Sequence, residues 1–196
     1  MRISSLLISC LIILISISCI RTEKSKYPKG HLKHILKYKG GKLHGEQIWY
    51  YETGKVQSIY NYSNGVLEGP AVTFGLNGKK SKEMNYKFGK LDGLVTEYTN
   101  SGVVLSKTNY SKGMKNGDFT YYYATGKPKV KGFFFNDLYD GEWLYFDQLG
   151  VIIGKGYFDK GNGKVQSWHQ NGSPKPDIIY ENNEPVDDFI FDESFD

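Results

Sequence analysis

From residue 30 onward, strand-like runs in which hydrophobic and polar positions alternate are broken at regular intervals by short glycine-containing segments. GEQIWYY (45–51), GDFTYYY (117–123) and GEWLYF (141–146) have the period-two pattern of half-buried β-strands. The breaks come in two kinds, NGVLEG (64–69) or KGMKNG (112–117), and ETGK (52–55), LNGK (76–79) or ATGK (124–127). Glycine there supplies the positive φ that tight hairpin turns require. Two runs joined by such a turn form a β-hairpin, and the hairpins follow one another without a helical interval.

The spacing is that of an array. Gly30, Gly54, Gly78, Gly102, Gly126 and Gly150 lie 24 residues apart, as do Gly45, Gly69, Gly93, Gly117 and Gly141. Aromatic residues keep the same step at Tyr38, Tyr62, Tyr86, Tyr110, Phe134 and Phe158, and at Tyr50, Phe74, Tyr98, Tyr122 and Phe146. The last unit is two residues shorter, the deletion falling near Gly161, Asn162 and Gly163. A fixed period of this length marks a repeat architecture. The expected fold class is all-β: an elongated single-sheet antiparallel meander of about six 24-residue hairpin repeats over residues 30–180, with about twelve strands. Strand alternation puts Glu46, Ile48 and Tyr50 on one face and Gln47, Trp49 and Tyr51 on the other. The two aromatic columns are expected to share the first face and replace a globular core.

The ends differ from the array. Residues 1–18 read as a signal peptide, with Arg2 as a minimal basic region before a run without charge that is diluted by serines. Residues 19–29 read as a modified Cys19 followed by a polar, basic tether closed by Pro28. Residues 181–196 read as a capping half-repeat and an acidic tail with seven acidic residues and no basic one, which either keeps the terminal edge strand from pairing with another copy or is an acidic, aromatic arm that docks on a basic surface.

Composition sharpens this picture. Sixteen Tyr, eleven Phe and 23 Gly favour strands and turns. The net charge of +4 conceals an uneven distribution, because residues 19–180 hold 24 basic and 14 acidic side chains. Anionic lipid, acidic polysaccharide or an acidic protein suit such an array better than nucleic acid, since the lysines are scattered over turns rather than gathered in one groove. Both cysteines, Cys10 and Cys19, fall within the first 19 residues, so no disulfide can staple the body. No nucleophile elbow or phosphate loop is present. His31, His34, His44 and His169 lack metal-ligand spacing, and Glu46 and Glu142 recur in a slot that elsewhere holds Pro70 and Leu94. Neither catalysis nor a metal or other cofactor is expected.

Ser16, Ile17, Ser18 and Cys19 resemble the lipobox of bacterial lipoproteins. That resemblance implies diacylation of Cys19 and a location on the cell envelope, with a soluble secreted protein as the alternative. The pattern Y-x-x-G-x-x-x-G-x(4)-aromatic-x(3)-G-K over residues 30–180 resembles the MORN-variant repeat of the YwqK-type antitoxin-repeat proteins. It implies a non-enzymatic β-hairpin protein. The expected function is a lipid-anchored binding or scaffold surface for a protein or membrane partner. Antitoxin or immunity-like neutralisation of a toxin, and a glycan-binding wall module, are the alternatives. Trp49, Tyr51, Tyr121, Tyr123, Trp143 and Tyr145 occupy slots that hold other residue types in other repeats, and they are the candidate binding residues.

Overall fold

A computed structural model describes residues 19–186. The signal peptide expected at 1–18 and the tail from 187 lie outside them. The described residues form seventeen strands, every pair antiparallel, and no helix. The chain divides into two compact units, one ending at Lys90 and the other beginning at Leu91.

Unit 1 is a meander of β1 (Ile20–Lys26), β2 (Leu32–Lys39), β3 (Lys42–Leu43), β4 (Gly45–Tyr50), β5 (Val56–Ser63), β6 (Val66–Phe74) and β7 (Lys80–Lys87). The two-residue β8 (Lys90–Leu91) falls at the division. Unit 2 continues with β9 (Gly93–Tyr98), β10 (Val104–Ser111), β11 (Met114–Tyr122), β12 (Pro128–Phe135), β13 (Leu138–Phe146), β14 (Ile152–Asp159), β15 (Asn162–Ser167), β16 (Ile178–Glu181) and β17 (Glu184–Pro185). Within each unit, successive hairpin strands pair with one another, with β3 and β4 both lying against β2.

The count exceeds twelve for local reasons. His44 and the positive-φ Gly45 interrupt one strand into β3 and β4, and the array starts earlier than Gly30. Residues 20–26, read as part of a tether, pair with β2, residue by residue from Ile20 opposite Lys39 to Ser25 opposite His34 and then across a bulge with Lys26 opposite Leu32. Charge did not prevent strand formation there, because the Arg21 guanidinium lies 5.0 Å from the Tyr38 ring centre and 3.5 Å from Glu23.

The two turn types do different work. At 27–30 and 51–54 the first residue's N–H donates to the carbonyl four residues on, and the glycine N–H donates back to the first residue's carbonyl. The opposite hairpin ends are two-residue turns with both central φ values positive, such as Asn64 (+51°) with Gly65 (+84°). Phe88 stands in the same turn position at φ +51°. For a bulky side chain that conformation costs about 1–2 kcal/mol. Bonds one repeat apart tie hairpin to hairpin: Gly65 N–H donates to the Leu43 carbonyl at 2.8 Å and Gly89 N–H to Leu67 at 2.9 Å.

Register also corrects the expected faces. Gly45 lies opposite Tyr62 and Gln47 opposite Tyr60, and directly opposed residues project to the same side. The Tyr62 column therefore shares the face of Gln47 and Trp49, away from Glu46 and Ile48. In the β4–β5 and β5–β6 pairs a bulge adds one residue, and a one-residue slip turns a strand's side chains to the other face.

Along that face, residue volume is traded between strands. The slot 47, 71, 95, 119, 143 runs Gln, Ala, Val, Phe, Trp, while the cross-strand slot 60, 84, 108, 132, 156 runs Tyr, Met, Thr, Gly, Gly. In unit 2 this arrangement yields a closed aromatic core of Phe134, Trp143, Phe158, Val165 and Tyr180, with Phe119 and Tyr139 packed against it. Gly132 and Gly156 clear the space for the indole and for Phe158. A methyl group on Gly132 would overlap Trp143 Cδ2 and Cε2 and come within 2.6 Å of Cε3. Among the described residues of unit 1, the same face has only Ala71 and Met84 as buried apolar residues.

Candidate functional site: an aromatic groove in unit 1

The shallow floor of unit 1 leaves a concavity of about 580 Å³ between taller side chains. The buried Ser58 lines it, with Trp49, Tyr60, Tyr62 and Tyr86 as walls, and Ala71, 4% exposed, lies opposite Tyr60 on the same face. Successive cross-strand pairs bring these together: Trp49 opposite Ser58, Ser58 opposite Thr73, Tyr60 opposite Ala71. The Trp49 and Tyr60 rings meet edge to face at 5.8 Å, and Tyr60 and Tyr86 are 6.3 Å apart at 56°. These are favourable offset geometries that hold the walls apart rather than collapsed face to face.

Beside the groove, Gln47 is 0% exposed and fixes the β2–β4 backbone. Its Oε1 accepts the Lys37 N–H at 2.7 Å, and its Nε2 donates to the carbonyls of Lys37, His44 and Gly45 at 3.0–3.1 Å. A buried amide with every partner satisfied gives rigidity where apolar packing is thin.

The lining carries no ionisable group except phenols. Burial raises the pKa of Tyr62 and Tyr86 above 10.0, and the neighbouring Tyr60 adds to the shift. Both hydroxyls therefore remain protonated donors at neutral pH. Gln57, Ser58, Thr73 and Ser81 supply further uncharged polar groups, with the Thr73 and Ser81 hydroxyls bonded to each other at 2.8 Å. Such a surface suits a neutral ligand with apolar faces and scattered hydrogen-bonding groups.

Of the residues singled out from the sequence, Trp49 and Tyr51 lie in this groove. The Tyr51 hydroxyl is already used, donating to the Phe74 carbonyl at 2.7 Å. Tyr27 does the same to Tyr50 at 2.9 Å and Tyr123 to Phe146 at 2.7 Å, so these turn tyrosines pin successive repeats. The other four candidates belong to unit 2. Trp143 is 3% exposed and donates from Nε1 to the Phe133 carbonyl at 3.2 Å, which makes it a core residue rather than a ligand platform. Tyr145 packs on the same core, and burial drives its pKa up. Tyr121 is half-buried on β11 between Ser106 and Val130. Tyr123 borders a larger concavity of about 840 Å³ formed with the shortened last repeat around Trp168 and His169. That concavity is rimmed by turn residues already bonded within their turns, as Asp147 is to Leu149 and Val151, and among Trp, Tyr and Phe it has two rings against six. Cys19 is exposed, immediately before β1.

Tyr62 and Tyr86 escaped sequence reasoning because regular aromatics read as packing, and Tyr60 because its slot, which runs Tyr, Met, Thr, Gly, Gly, belongs to neither aromatic column. The signal that could have found them is the small Ala71 and polar Gln47 in a slot that holds Phe119 and Trp143 farther on. Among the described residues, no three His, Cys, Asp or Glu side chains gather as metal ligands would.

The 24-residue phase of the hairpins also appears in the comparison with known families. Three stretches match the MORN repeat variant. They are residues 43–64, 91–112 and 115–136, each beginning in or just before a strand that follows a two-residue turn and ending at the next such turn. Repeats of this kind are generally protein- or membrane-binding modules. No curated protein matches the chain.

Proposed function

We propose that the chain is a non-catalytic binding protein of a bacterial cell envelope, held on the membrane through acylated Cys19, that docks an extended segment of a protein partner in the groove of unit 1. The observation that carries this reading is the open, uncharged concavity walled by Trp49, Tyr60, Tyr62 and Tyr86. Rigid Trp and Tyr side chains bury large area at small entropic cost and dominate binding energy at protein interfaces. Aromatic-lined grooves accept extended chains in particular, because the ridges separate successive side chains of the guest. A toxin neutralised by this chain would be one such partner.

The test is a photo-crosslinking amino acid placed at Tyr62 in living cells, with Glu46 on the opposite face as the control position. A discrete protein adduct at 62 that disappears with Trp49→Ala supports docking; the same adducts at both positions contradict it. Anchoring is tested separately, since Cys19→Ser should release the chain from the membrane fraction. A second reading, a neutral glycan in the same groove, is favoured by the hydroxyl and amide groups between the rings. It predicts retention on purified wall polysaccharide, again lost with Trp49→Ala.

A further inference from the structure

Phe88 is the side chain in unit 1 that its fold explains least. It is 79% exposed and sits at φ +51° in a turn position filled by Gly40 and Asn64 elsewhere in the unit. The turn itself is held firmly, with the Phe88 N–H bonded to the Glu68 carboxylate at 2.9 Å and the Gly89 N–H bonded to Leu67. A ring displayed from a fixed, strained backbone is a feature of functional sites.

Apart from the Glu68 carboxylate held by that bond, the charged side chains beside its turn are basic. The two-residue turns at 40–41, 64–65 and 88–89 line one edge of unit 1, where the Lys42 side chain packs beside Gly65 and Val66 beside Gly89. Lys39, Lys42, Lys87 and Lys90 flank these turns, all exposed, and none makes an ion pair among the described residues. At the opposite edge three lysines are engaged: Lys29 with Glu52 at 3.8 Å, Lys80 with Glu83, and Lys55 with the Leu76 carbonyl at 3.0 Å. Pairing of Ile20 with Lys39 brings the start of β1, with the exposed Ile20 and the adjacent Cys19, to the edge that bears Phe88.

We infer that this edge of unit 1 is a membrane-contact edge, with Phe88 entering the headgroup boundary of an anionic bilayer and the four lysines meeting lipid phosphates. An aromatic ring favours the interface, and basic residues near an anionic leaflet are drawn to it. The inference deepens the proposed membrane anchoring by assigning which edge faces the lipid, and Cys19 beside that edge leaves no spacer that would hold it away.

The test uses the full chain with Cys10→Ser and Cys19→Ser and a polarity-sensitive dye on Val66→Cys, next to Phe88, or on Thr53→Cys at the opposite edge. Each is mixed with phosphatidylcholine vesicles or with vesicles containing phosphatidylglycerol, both carrying a bilayer-borne quencher. The expected result is several-fold stronger quenching at 66 than at 53, in anionic vesicles only. Phe88→Asn, or Lys87→Gln with Lys90→Gln, should reduce it to the neutral-vesicle level, and Phe88→Asn should raise Tm by about 2–4 °C as strain is relieved. Equal quenching at 66 and 53, or indifference to lipid charge, overturns the inference. Because this background cannot be acylated at Cys19, failure here leaves the anchor to its own fractionation test.

Discussion

Units 1 and 2 use one repeat to opposite ends. In unit 2 the inward slots hold Phe119 and Trp143, Gly132 and Gly156 make way for the rings, and the aromatic face closes on itself. In unit 1 the equivalent slots hold Gln47 and Ala71, opposite Tyr60 and Met84, and the rings stand around a space instead of filling it. A repeat array can therefore divide stability and binding between its members by shifting volume from one strand to the next, without changing backbone, turn chemistry or period.

The largest effects should come from opening the closed unit. Trp143→Ala removes the centre of the cluster and should cost about 3–5 kcal/mol in urea unfolding of the full chain. Gly132→Ala, a change of one methyl group, should cost about 3 kcal/mol, because its Cβ would overlap the indole. Trp49→Ala in the groove should cost less than half as much as Trp143→Ala while abolishing partner capture. Equal costs would mean that the two units are not built differently.

Closing the open unit should be possible at moderate cost. Ala71→Phe alone should destabilise by about 1–3 kcal/mol through overpacking against Tyr60 and Met84. Combining it with Met84→Gly imports the Phe119 and Gly132 pairing of unit 2, and a double-mutant cycle should show favourable coupling of about 1 kcal/mol or more. The double variant should fold and fail to bind.

Smaller effects follow from single phenols. Tyr51→Phe loses the bond to the Phe74 carbonyl and should cost about 0.5–1.5 kcal/mol. Desolvation raises the pKa of Tyr139, Tyr145 and Tyr180 above 10.0 in the folded chain, so the folded state holds these protons more tightly than the unfolded one. Their contribution is fully present below pH 10 and is lost as pH rises through the elevated values. Tyr145→Phe should leave stability near neutrality almost unchanged and flatten the alkaline decline in a pH series of urea midpoints.

Glycines and aromatics 24 residues apart made the hairpins, the antiparallel order and the turn positions legible, because each reports a local requirement of backbone or packing. The faces were not legible, since a bulge adds a residue without any fixed sequence mark and parity counted across it is reversed. β1 was hidden by its charges, whose stacking on Tyr38 and pairing with Glu23 only the fold reveals. Trp49 could be recognised as a site residue because its slot varies. Trp143 stands in a varying slot too, yet it is buried, and only Gly132 and Gly156 across the sheet distinguish the two.

That difference between two tryptophans is the most direct measure of the account. In two variants of the full chain, one retaining only Trp49 and the other only Trp143, with the remaining tryptophans replaced by Phe, acrylamide should quench Trp49 several-fold more strongly than Trp143. Comparable quenching of the two would contradict an open groove in unit 1 and a closed core in unit 2.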